Sequence, residues 1–133
     1  MKLSIIVPIF NEENNLEGLF REIDKNFSNI NYEVLFINDG SVDNSKKVLD
    51  KLFRENEKNI KVVNFSRNFG KEAAIYAGIK YSSGMYTAII DADMQQDPKY
   101  ILNGLNYLEK NEEKDVVAFI PDKKKISSRI EKK

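Results

Sequence analysis

The sequence predicts an α/β fold with a mostly parallel sheet and helices on both faces. Segments of strand character alternate with segments of helical periodicity as far as residue 120, without an internal repeat. The most distinctive polar motifs directly follow the predicted strands. Because ligands of parallel α/β sheets bind beyond the carboxyl ends of the strands, these motifs are the first candidates for a functional site.

The composition narrows the chemistry that the chain can perform. At 133 residues, 41% hydrophobic and 32% charged, we expect one globular domain. Lys and Arg together number 21, as do Asp and Glu, so net charge gives no general case for a nucleic-acid partner. Cysteine and histidine are absent, which excludes a Cys/His zinc site, a cysteine nucleophile and a Ser-His-Asp triad. The remaining groups are carboxylates, amides, hydroxyls, Lys, Arg and a bound metal.

The first half of the chain is predicted to contain two strands and two helices. The first strand, residues 3–8, is apolar and ends at Pro8. Asn11 is expected to cap the following helix. The buried face of that helix recurs at helical spacing and comprises Leu16, Leu19, Phe20, Ile23 and Phe27. The second strand covers residues 32–37, and the second helix covers residues 43–56. Its apolar side comprises Val48, Leu49, Leu52 and Phe53.

The second half continues the alternation of strands and helices. A third strand covers residues 60–65, and a third helix runs from about Lys71 to Tyr81. One face of this helix carries residues small enough for close packing on a sheet, namely Ala73, Ala74, Ala77 and Gly78. A fourth strand covers residues 87–91, and Asp97 and Pro98 start a fourth helix. The buried residues of that helix are Ile101, Leu102, Leu105 and Leu108. Residues 115–120 are a fifth predicted strand.

Residues 122–133 are predicted to be a basic C-terminal tail that follows a domain of residues 1–121. Six basic residues stand against two acidic ones in this segment, an excess of four. A frayed, solvated tail is the favoured interpretation, and contact with an anionic membrane surface is the alternative. No segment of the chain reads as a membrane span or as a signal peptide.

Asp91 and Asp93, at the end of the fourth predicted strand, are the leading candidates for a metal site. In an extended segment, residues two apart point to the same side, so the two carboxylates would converge. Converging carboxylates repel each other unless a cation lies between them, and oxygen ligands suit Mg2+ or Mn2+. Such an ion typically also binds substrate phosphates. The structural alternative for an Asp-x-Asp sequence is a capped turn or a solvated loop.

Three further motifs are candidates for nucleotide binding, and each has a structural alternative. Asp39 could accept hydrogen bonds from a base or ribose, although its surroundings also fit an ordinary strand-to-helix turn. Glu12 could hold ribose hydroxyls, whereas Phe10 beside it would otherwise pack on the following helix. Arg67 and Lys71 near a helix start suit a phosphate, or are surface charges. Neither a Gly-x-Gly-x-x-Gly nor a P-loop motif is present, so a diphosphate would have to be held by metal.

Four motifs taken together resemble the family 2 glycosyltransferases. They are Ile5-Ile6-Val7-Pro8-Ile9-Phe10-Asn11-Glu12-Glu13, Phe36-Ile37-Asn38-Asp39-Gly40-Ser41, Phe65-Ser66-Arg67-Asn68-Phe69-Gly70-Lys71 and Asp91-Ala92-Asp93-Met94-Gln95. The sequence is most similar to the polyprenyl-phosphate group, which includes dolichol-phosphate mannose synthases and bacterial undecaprenyl-phosphate sugar transferases. The resemblance covers about residues 3–118. It implies a GT-A type, Rossmann-like fold, of which this chain would be the N-terminal donor-binding portion, C-terminally truncated relative to the family.

The resemblance also implies an activity and a set of site residues. The activity is inverting transfer from a UDP- or GDP-sugar to a polyprenyl phosphate or another glycan acceptor, in cell-envelope glycan synthesis. Asp91 and Asp93 would be the catalytic residues and, with Gln95, would hold Mg2+ or Mn2+. The nucleotide-binding residues would be Pro8, Phe10, Asn11, Glu12, Asp39, Gly40, Arg67, Lys71 and Ala92. The location implied is cytoplasmic, with peripheral contact at the inner face of the membrane.

The sequence departs from the family pattern in two places. Family members usually carry a Gly-x-Arg segment after the fifth strand, where this chain has Phe119-Ile120-Pro121. They also continue beyond the position of Lys133 with acceptor-binding elements and, commonly, membrane helices. Without such elements apolar surface would be uncovered, so we expect self-association. The rival interpretation is a catalytically weak or inactive donor-binding or assembly module. A nucleotidyltransferase is a further alternative, although no basic glycine-rich loop follows the first strand.

Overall fold

The computed structural model describes residues 1–121 and 126–131, and the chain divides into two compact units, Met1–Gln96 and Asp97–Lys133. The first unit is built on a parallel sheet of four strands in the order β3-β2-β1-β4. These strands are β1 (Leu3–Ile9), β2 (Tyr32–Asn38), β3 (Ile60–Asn64) and β4 (Tyr86–Ile89). The helices of this unit are α1 (Leu16–Phe27), α2 (Ser45–Glu55) and α3 (Lys71–Tyr81). The predicted α/β class and parallel sheet are therefore confirmed.

The second unit contains α4 (Lys99–Lys110), β5 (Val116–Pro121) and β6 (Ile126–Glu131). β5 is the fifth predicted strand, but it pairs antiparallel with β6 in a separate two-stranded sheet. A strand at β6 corrects the prediction of a frayed tail, while residues 122–125 and 132–133 lie outside the described residues. Among the helices that the structure describes, none has the length and apolar character needed to cross a bilayer.

The order of the strands places helices on both faces of the parallel sheet. Right-handed crossovers through α1 and α2 step from β1 to β2 to β3 in one direction. The connection through α3 then returns past β1 to β4, which puts α3 on the opposite face. The strand order thus reverses between β1 and β4, and such a reversal opens a crevice at the carboxyl ends of the two strands.

The packing of α3 explains why its inner face carries small residues. Ala74 is fully buried against Ile6 of β1 and against Leu35 and Ile37 of β2. A Cβ atom added to Gly78 would lie 2.4 Å from a methyl carbon of Ile6, so only glycine permits this approach. The predicted close packing of this helix on the sheet is therefore confirmed.

The prediction that Asn11 caps α1 is wrong. α1 begins at Leu16, with Asn15 as its N-terminal cap residue. Instead the Asn11 side chain binds backbone amides of the loop after β2. On the predicted apolar side of α2, Leu49 and Leu52 are buried, whereas Phe53 is 39% exposed.

Pro8 lies inside β1, which corrects the predicted end of the strand at this residue. In a parallel strand, alternate residues direct their N–H and C=O groups to opposite neighbours. The Ile6 carbonyl accepts a hydrogen bond from Ile90 on the β4 side, so Pro8, two residues later, faces the same side. The β1–β4 pairing ends at Ile6 and Ile89. The missing N–H of Pro8 is therefore tolerated, because it would face the β4 side, where the pairing with β1 has already ended.

A buried polar network ties the amino ends of the strands to the segment before β4. The Glu33 carboxylate accepts hydrogen bonds from the Ser4 hydroxyl and the Ser83 amide, both at 2.7 Å, and its other oxygen lies 2.8 Å from Lys61 Nζ. Ser4 Oγ in turn accepts a hydrogen bond of 2.7 Å from the Gly84 amide. Burial raises the pKa of Glu33, but the hydrogen bonds from Lys61, Ser4 and Ser83 outweigh it and lower the pKa below its ordinary value of 4.5.

We expect Glu33→Gln to lower the free energy of unfolding by about 1–3 kcal/mol at pH 7, because a buried charged acceptor is lost. The contribution of a carboxylate with a lowered folded-state pKa is complete above its unfolded pKa and disappears as the pH falls through the folded one. The gap between wild type and variant should therefore narrow below about pH 4.5. Urea unfolding of both proteins between pH 3 and pH 7 measures this gap. A gap that widens in acid would contradict the assignment.

Candidate functional site

A cavity of about 440 Å³ lies at the carboxyl ends of β1 and β4, where the strand order reverses. It is lined by Pro8, Ile9, Phe10, Glu12, Asp39, Asn68, Gly70, Lys71, Asp91, Ala92 and Asp93. We call it the switch-point cavity. It combines an exposed aromatic ring with four carboxylates and one lysine. The excess of carboxylates suits a cation, and the ring suits an apolar part of a ligand.

The loop after β1 is fastened to the loop after β2 by reciprocal hydrogen bonds. Asn11 has a φ of 55°, and its side-chain oxygen accepts hydrogen bonds from the amides of Val42 and Asp43. In the other direction, the backbone N–H of Asn11 donates a hydrogen bond of 2.9 Å to Ser41 Oγ. The Glu12 amide donates to Ser45 Oγ at 3.0 Å, which fixes the backbone of a residue that lines the cavity.

Asp39 fastens the loop before α3 to the end of β2. The residue is 4% exposed, and its carboxylate accepts hydrogen bonds from the backbone amides of Phe69, at 2.7 Å, and Gly70, at 3.0 Å. The Asn68 side chain donates to it at 3.3 Å. Gly40 next to it has a φ of 71°, and a Cβ there would lie 2.3 Å from the backbone of Arg67. Asp39 therefore positions the loop from which α3 starts, a role that the sequence did not indicate.

Lys71, the first residue of α3, forms an ion pair with Asp91 across the switch-point cavity. The distance between Lys71 Nζ and Asp91 Oδ1 is 2.6 Å. The two side chains are 58% and 40% exposed, respectively. Ion pairs with this exposure typically contribute about 0.2–1 kcal/mol to stability, because water screens the charges. Lys71 and Asp91 can therefore each exchange this contact for another partner at a small cost in free energy.

Asp91 and Asp93 reach the cavity from a turn rather than from an extended strand. β4 ends at Ile89, so the alternation of side chains along a strand does not account for their placement. The Asp91 amide donates to the Gln96 side chain, and the Gln95 amide donates to Asp93 Oδ1 at 3.1 Å. Both carboxylates nevertheless line the same cavity.

A second cavity, of about 460 Å³, lies beside the first and shares Phe10 and Asn68 with it. Its basic residues are Lys46 and Arg67. The Arg67 guanidinium lies over the Phe69 ring, 4.3 Å from the ring centroid. Stacking of this kind fixes the orientation of an otherwise flexible side chain.

The structure brings most of the predicted site residues together but not all of them. Those that line the switch-point cavity are Pro8, Phe10, Glu12, Asp39, Lys71, Asp91, Ala92 and Asp93. Gly40 and Arg67 line the second cavity instead, while Asn11 and Gln95 line neither. Sequence reasoning missed Asn68, which lines both cavities and binds Asp39. Its position between two predicted site residues was the available signal.

The donor atoms of the cavity fit a hard divalent cation. Asp91 and Asp93 supply carboxylate oxygens of the type that Mg2+ and Mn2+ prefer. Within residues 1–121 and 126–131, no cluster of three or more His, Cys, Asp or Glu side chains forms a ready-made cage for a metal. Mg2+ is ordinarily held by one or two carboxylates together with substrate phosphates, so two carboxylates suffice for an ion bound with a diphosphate.

The fold and the switch-point cavity define a parallel α/β protein with a candidate ligand site where the strand order reverses. The chain belongs to glycosyl transferase family 2, whose pattern it matches over residues 4–133. The resemblance carried by the four motifs is thereby confirmed.

Two curated relatives show how much of a longer protein the chain represents. It is 46% identical over 103 residues to the uncharacterized glycosyltransferase sll0501 of Synechocystis sp., covering 76% of this chain and 32% of that protein. It is 33% identical over 102 residues to the undecaprenyl-phosphate 4-deoxy-4-formamido-L-arabinose transferase of Klebsiella pneumoniae, covering 75% of this chain and 31% of that protein. The chain thus spans about a third of the length of these relatives.

Solved structures share the fold of the chain. S. aureus TarS 1–349 in complex with UDP-GlcNAc matches with a TM-score of 0.71 and 24% identity, over 84% of this chain and 32% of that one. The mannosyltransferase PcManGT from Pyrobaculum calidifontis, in complex with GDP-Man and Mn2+, matches with a TM-score of 0.71 and 20% identity, over 80% of this chain and 32% of that one. The predicted GT-A type fold is confirmed by these matches.

Proposed function

We propose that this chain is the donor-binding part of an inverting glycosyltransferase that binds a nucleoside-diphosphate sugar through a divalent cation. The observation that carries the proposal is the meeting of Asp91, Asp93, Glu12 and Lys71 in one cavity at the switch point of the sheet. Two carboxylates for a cation, one carboxylate for ribose hydroxyls and one ammonium for phosphate together match the parts of such a donor.

Each residue has a distinct task in this proposal. Asp91 and Asp93, which line the cavity, would hold Mg2+ or Mn2+. Gln95 does not line it, so its side chain would have to turn inward to act as a third ligand. When bound, the cation supplies Lewis-acid stabilisation of the charge on the departing nucleoside diphosphate. The exposed ring of Phe10 would pack against the nucleoside, and the Glu12 carboxylate would accept hydrogen bonds from its ribose.

The remaining predicted nucleotide contacts divide into two kinds. Pro8 and Ala92 line the cavity directly, whereas Asn11 and Asp39 act through the loops that they hold in place. Arg67 would reach the outer part of the ligand from the second cavity, beside Gly40. A donor-binding domain of residues 1–121 remains part of this proposal, whereas residues 126–131 of the predicted tail form β6.

The acceptor belongs to the whole protein, of which this chain matches about a third. A polyprenyl phosphate is the proposed acceptor, because one relative is named as an undecaprenyl-phosphate sugar transferase, and another glycan acceptor is the alternative. Such an acceptor places the reaction at the inner face of a membrane, in cell-envelope glycan synthesis. The exposed apolar side chains Tyr76, Ile79, Met85 and Ile89 on α3 and around β4 support the proposed self-association.

A thermal unfolding experiment tests the proposal. We expect UDP or GDP to raise the melting temperature of the chain in the presence of Mn2+, and neither to do so in the presence of EDTA. At a ligand concentration 100 times the Kd, the stabilisation is about 2.7 kcal/mol, or about 10 °C for a domain of this size. Uridine and guanosine, which lack the diphosphate, serve as controls and should have little effect.

A donor-binding or assembly module without activity is the second candidate. The Lys71–Asp91 ion pair supports it, because the pair engages a proposed metal ligand with a protein side chain. The same melting experiment separates donor binding from a purely docking role, and an assay of donor hydrolysis separates an active protein from an inactive donor-binding module. The absence of a shift with both nucleotides plus Mn2+ would favour a docking role for the fold.

A further inference from the structure

We propose that Lys71 is an exchangeable counter-ion: it neutralises Asp91 until the divalent cation binds, and it then transfers to the diphosphate of the donor. This inference rests on the proposed function and adds to it a coupling between the cation and the nucleotide. Both ligands must break the Lys71–Asp91 ion pair, the cation to reach Asp91 and the diphosphate to reach Lys71. Each ligand would therefore favour binding of the other.

The position of Lys71 is set by the loop that Asp39 holds. The Gly70 amide donates to Asp39 Oδ2, and Gly70 itself has a φ of 103°, a backbone conformation that favours glycine. This geometry starts α3 at the rim of the switch-point cavity and places the first side chain of the helix within reach of Asp91. Lys71 and Asp91 are therefore brought together by the fold rather than by sequence proximity.

The exposure of the pair makes it exchangeable. The chain contains a useful comparison in the ion pair of Lys61 with Glu33, whose carboxylate is 3% exposed and accepts two further hydrogen bonds. Removing Lys61 from that pair would leave the Glu33 carboxylate buried and without its counter-ion, so we expect the Lys61–Glu33 pair to be permanent. Asp91 is 40% exposed, and water can replace the ammonium at little cost.

Electrostatics then determine where the lysine moves. A divalent cation bound to Asp91 and Asp93 would repel an ammonium that is 2.6 Å from one of its ligand oxygens. The flexible four-carbon stem of a lysine allows its charge to move several ångströms within the cavity. A diphosphate in the same cavity offers the anionic partner that Asp91 no longer provides. Cation and nucleotide therefore bind together more favourably than either binds alone.

Replacing Lys71 with glutamine is expected to change the two binding constants in opposite directions. Mn2+ alone should bind about two- to fivefold more tightly, because the competing ammonium is gone. UDP or GDP in the presence of Mn2+ should bind about tenfold more weakly, because a charged phosphate contact is lost. Electron paramagnetic resonance of free Mn2+ measures the first constant, and isothermal titration calorimetry measures the second.

Two further variants act as controls. Lys71→Arg keeps the charge, so its affinity for Mn2+ alone should stay close to that of wild type. Lys80→Gln removes a lysine from the last turn of the same helix, outside both cavities, and should change neither constant. A general loss of structure would weaken both constants together, so the opposite signs expected for Lys71→Gln identify exchange.

The outcomes separate this inference from the function on which it rests. If wild type binds neither nucleotide with Mn2+, the proposed function fails. If wild type binds a nucleotide with Mn2+ but Lys71→Gln binds Mn2+ alone no more tightly than wild type does, counter-ion exchange is overturned and the proposed function stands. If Lys71→Gln tightens Mn2+ binding without weakening nucleotide binding, the transfer of the lysine to the diphosphate is overturned.

Discussion

Asp93→Ala is expected to abolish the Mn2+-dependent stabilisation of the chain by UDP or GDP. Asp93 is exposed and lines the switch-point cavity, so its carboxylate is available to a cation in a way that the paired Asp91 is not. Loss of an outer-shell partner of a metal typically weakens affinity about 10–100-fold, and loss of a direct ligand should weaken it more. Calorimetric titration of nucleotide into the Mn2+-containing protein measures the change.

Glu72→Gln is the matched control for this prediction. Glu72 is an exposed carboxylate in the first turn of α3, next to Lys71, but it does not line the cavity. Its neutralisation changes the net charge by the same amount and should leave nucleotide binding within about twofold of wild type. If Asp93→Ala binds the nucleotide as well as Glu72→Gln does, the cation does not depend on this carboxylate.

Asp39→Ala is expected to lower the free energy of unfolding by about 2–3 kcal/mol and to weaken nucleotide binding as a consequence. The buried carboxylate accepts hydrogen bonds from the Phe69 and Gly70 amides, and its removal leaves those amides without an acceptor. The loop that carries Lys71 to the cavity would then lose its anchor. Urea unfolding measures the stability, and hydrogen exchange of the two amides measures the local effect.

Asp39→Asn provides a graded comparison. An amide side chain keeps one acceptor oxygen, so we expect only one of the Phe69 and Gly70 amides to remain protected in this variant. Its stability should fall between those of wild type and Asp39→Ala. Equal exchange rates in all three proteins would show that Asp39 does not hold the loop.

The parts of the fold that local sequence determines were predictable. α3 begins and ends at Lys71 and Tyr81 as predicted, because a stripe of small residues marks its inner face and Ser83 and Gly84 follow its end. The four parallel strands were predictable because each is an apolar segment followed by a polar motif. β6 was not, because only Ile126 and Ile130 of its six residues are apolar and a run of three lysines precedes it.

The parts of the site that depend on distant partners were not predictable. Asparagine is a residue type that often caps helices, which is why Asn11 was predicted to be a cap. Nothing in the adjacent sequence shows that its side chain instead binds amides about 30 residues away. Glu33 appeared as one acidic residue in an apolar strand, which was the only signal of its ion pair with Lys61. For the same reason, the sequence indicated Lys71 as a phosphate ligand but not as the partner of Asp91.

The hydrogen bonds among the three loops at this edge of the sheet affect chimeras in which a loop is replaced by that of another family member. Asn11 joins the first loop to the second, and Asp39 joins the second to the third. The three segments therefore form one hydrogen-bonded unit. A chimera that takes only its first loop from a relative would lose these contacts, so we expect it to be less stable than a chimera in which all three segments are exchanged together.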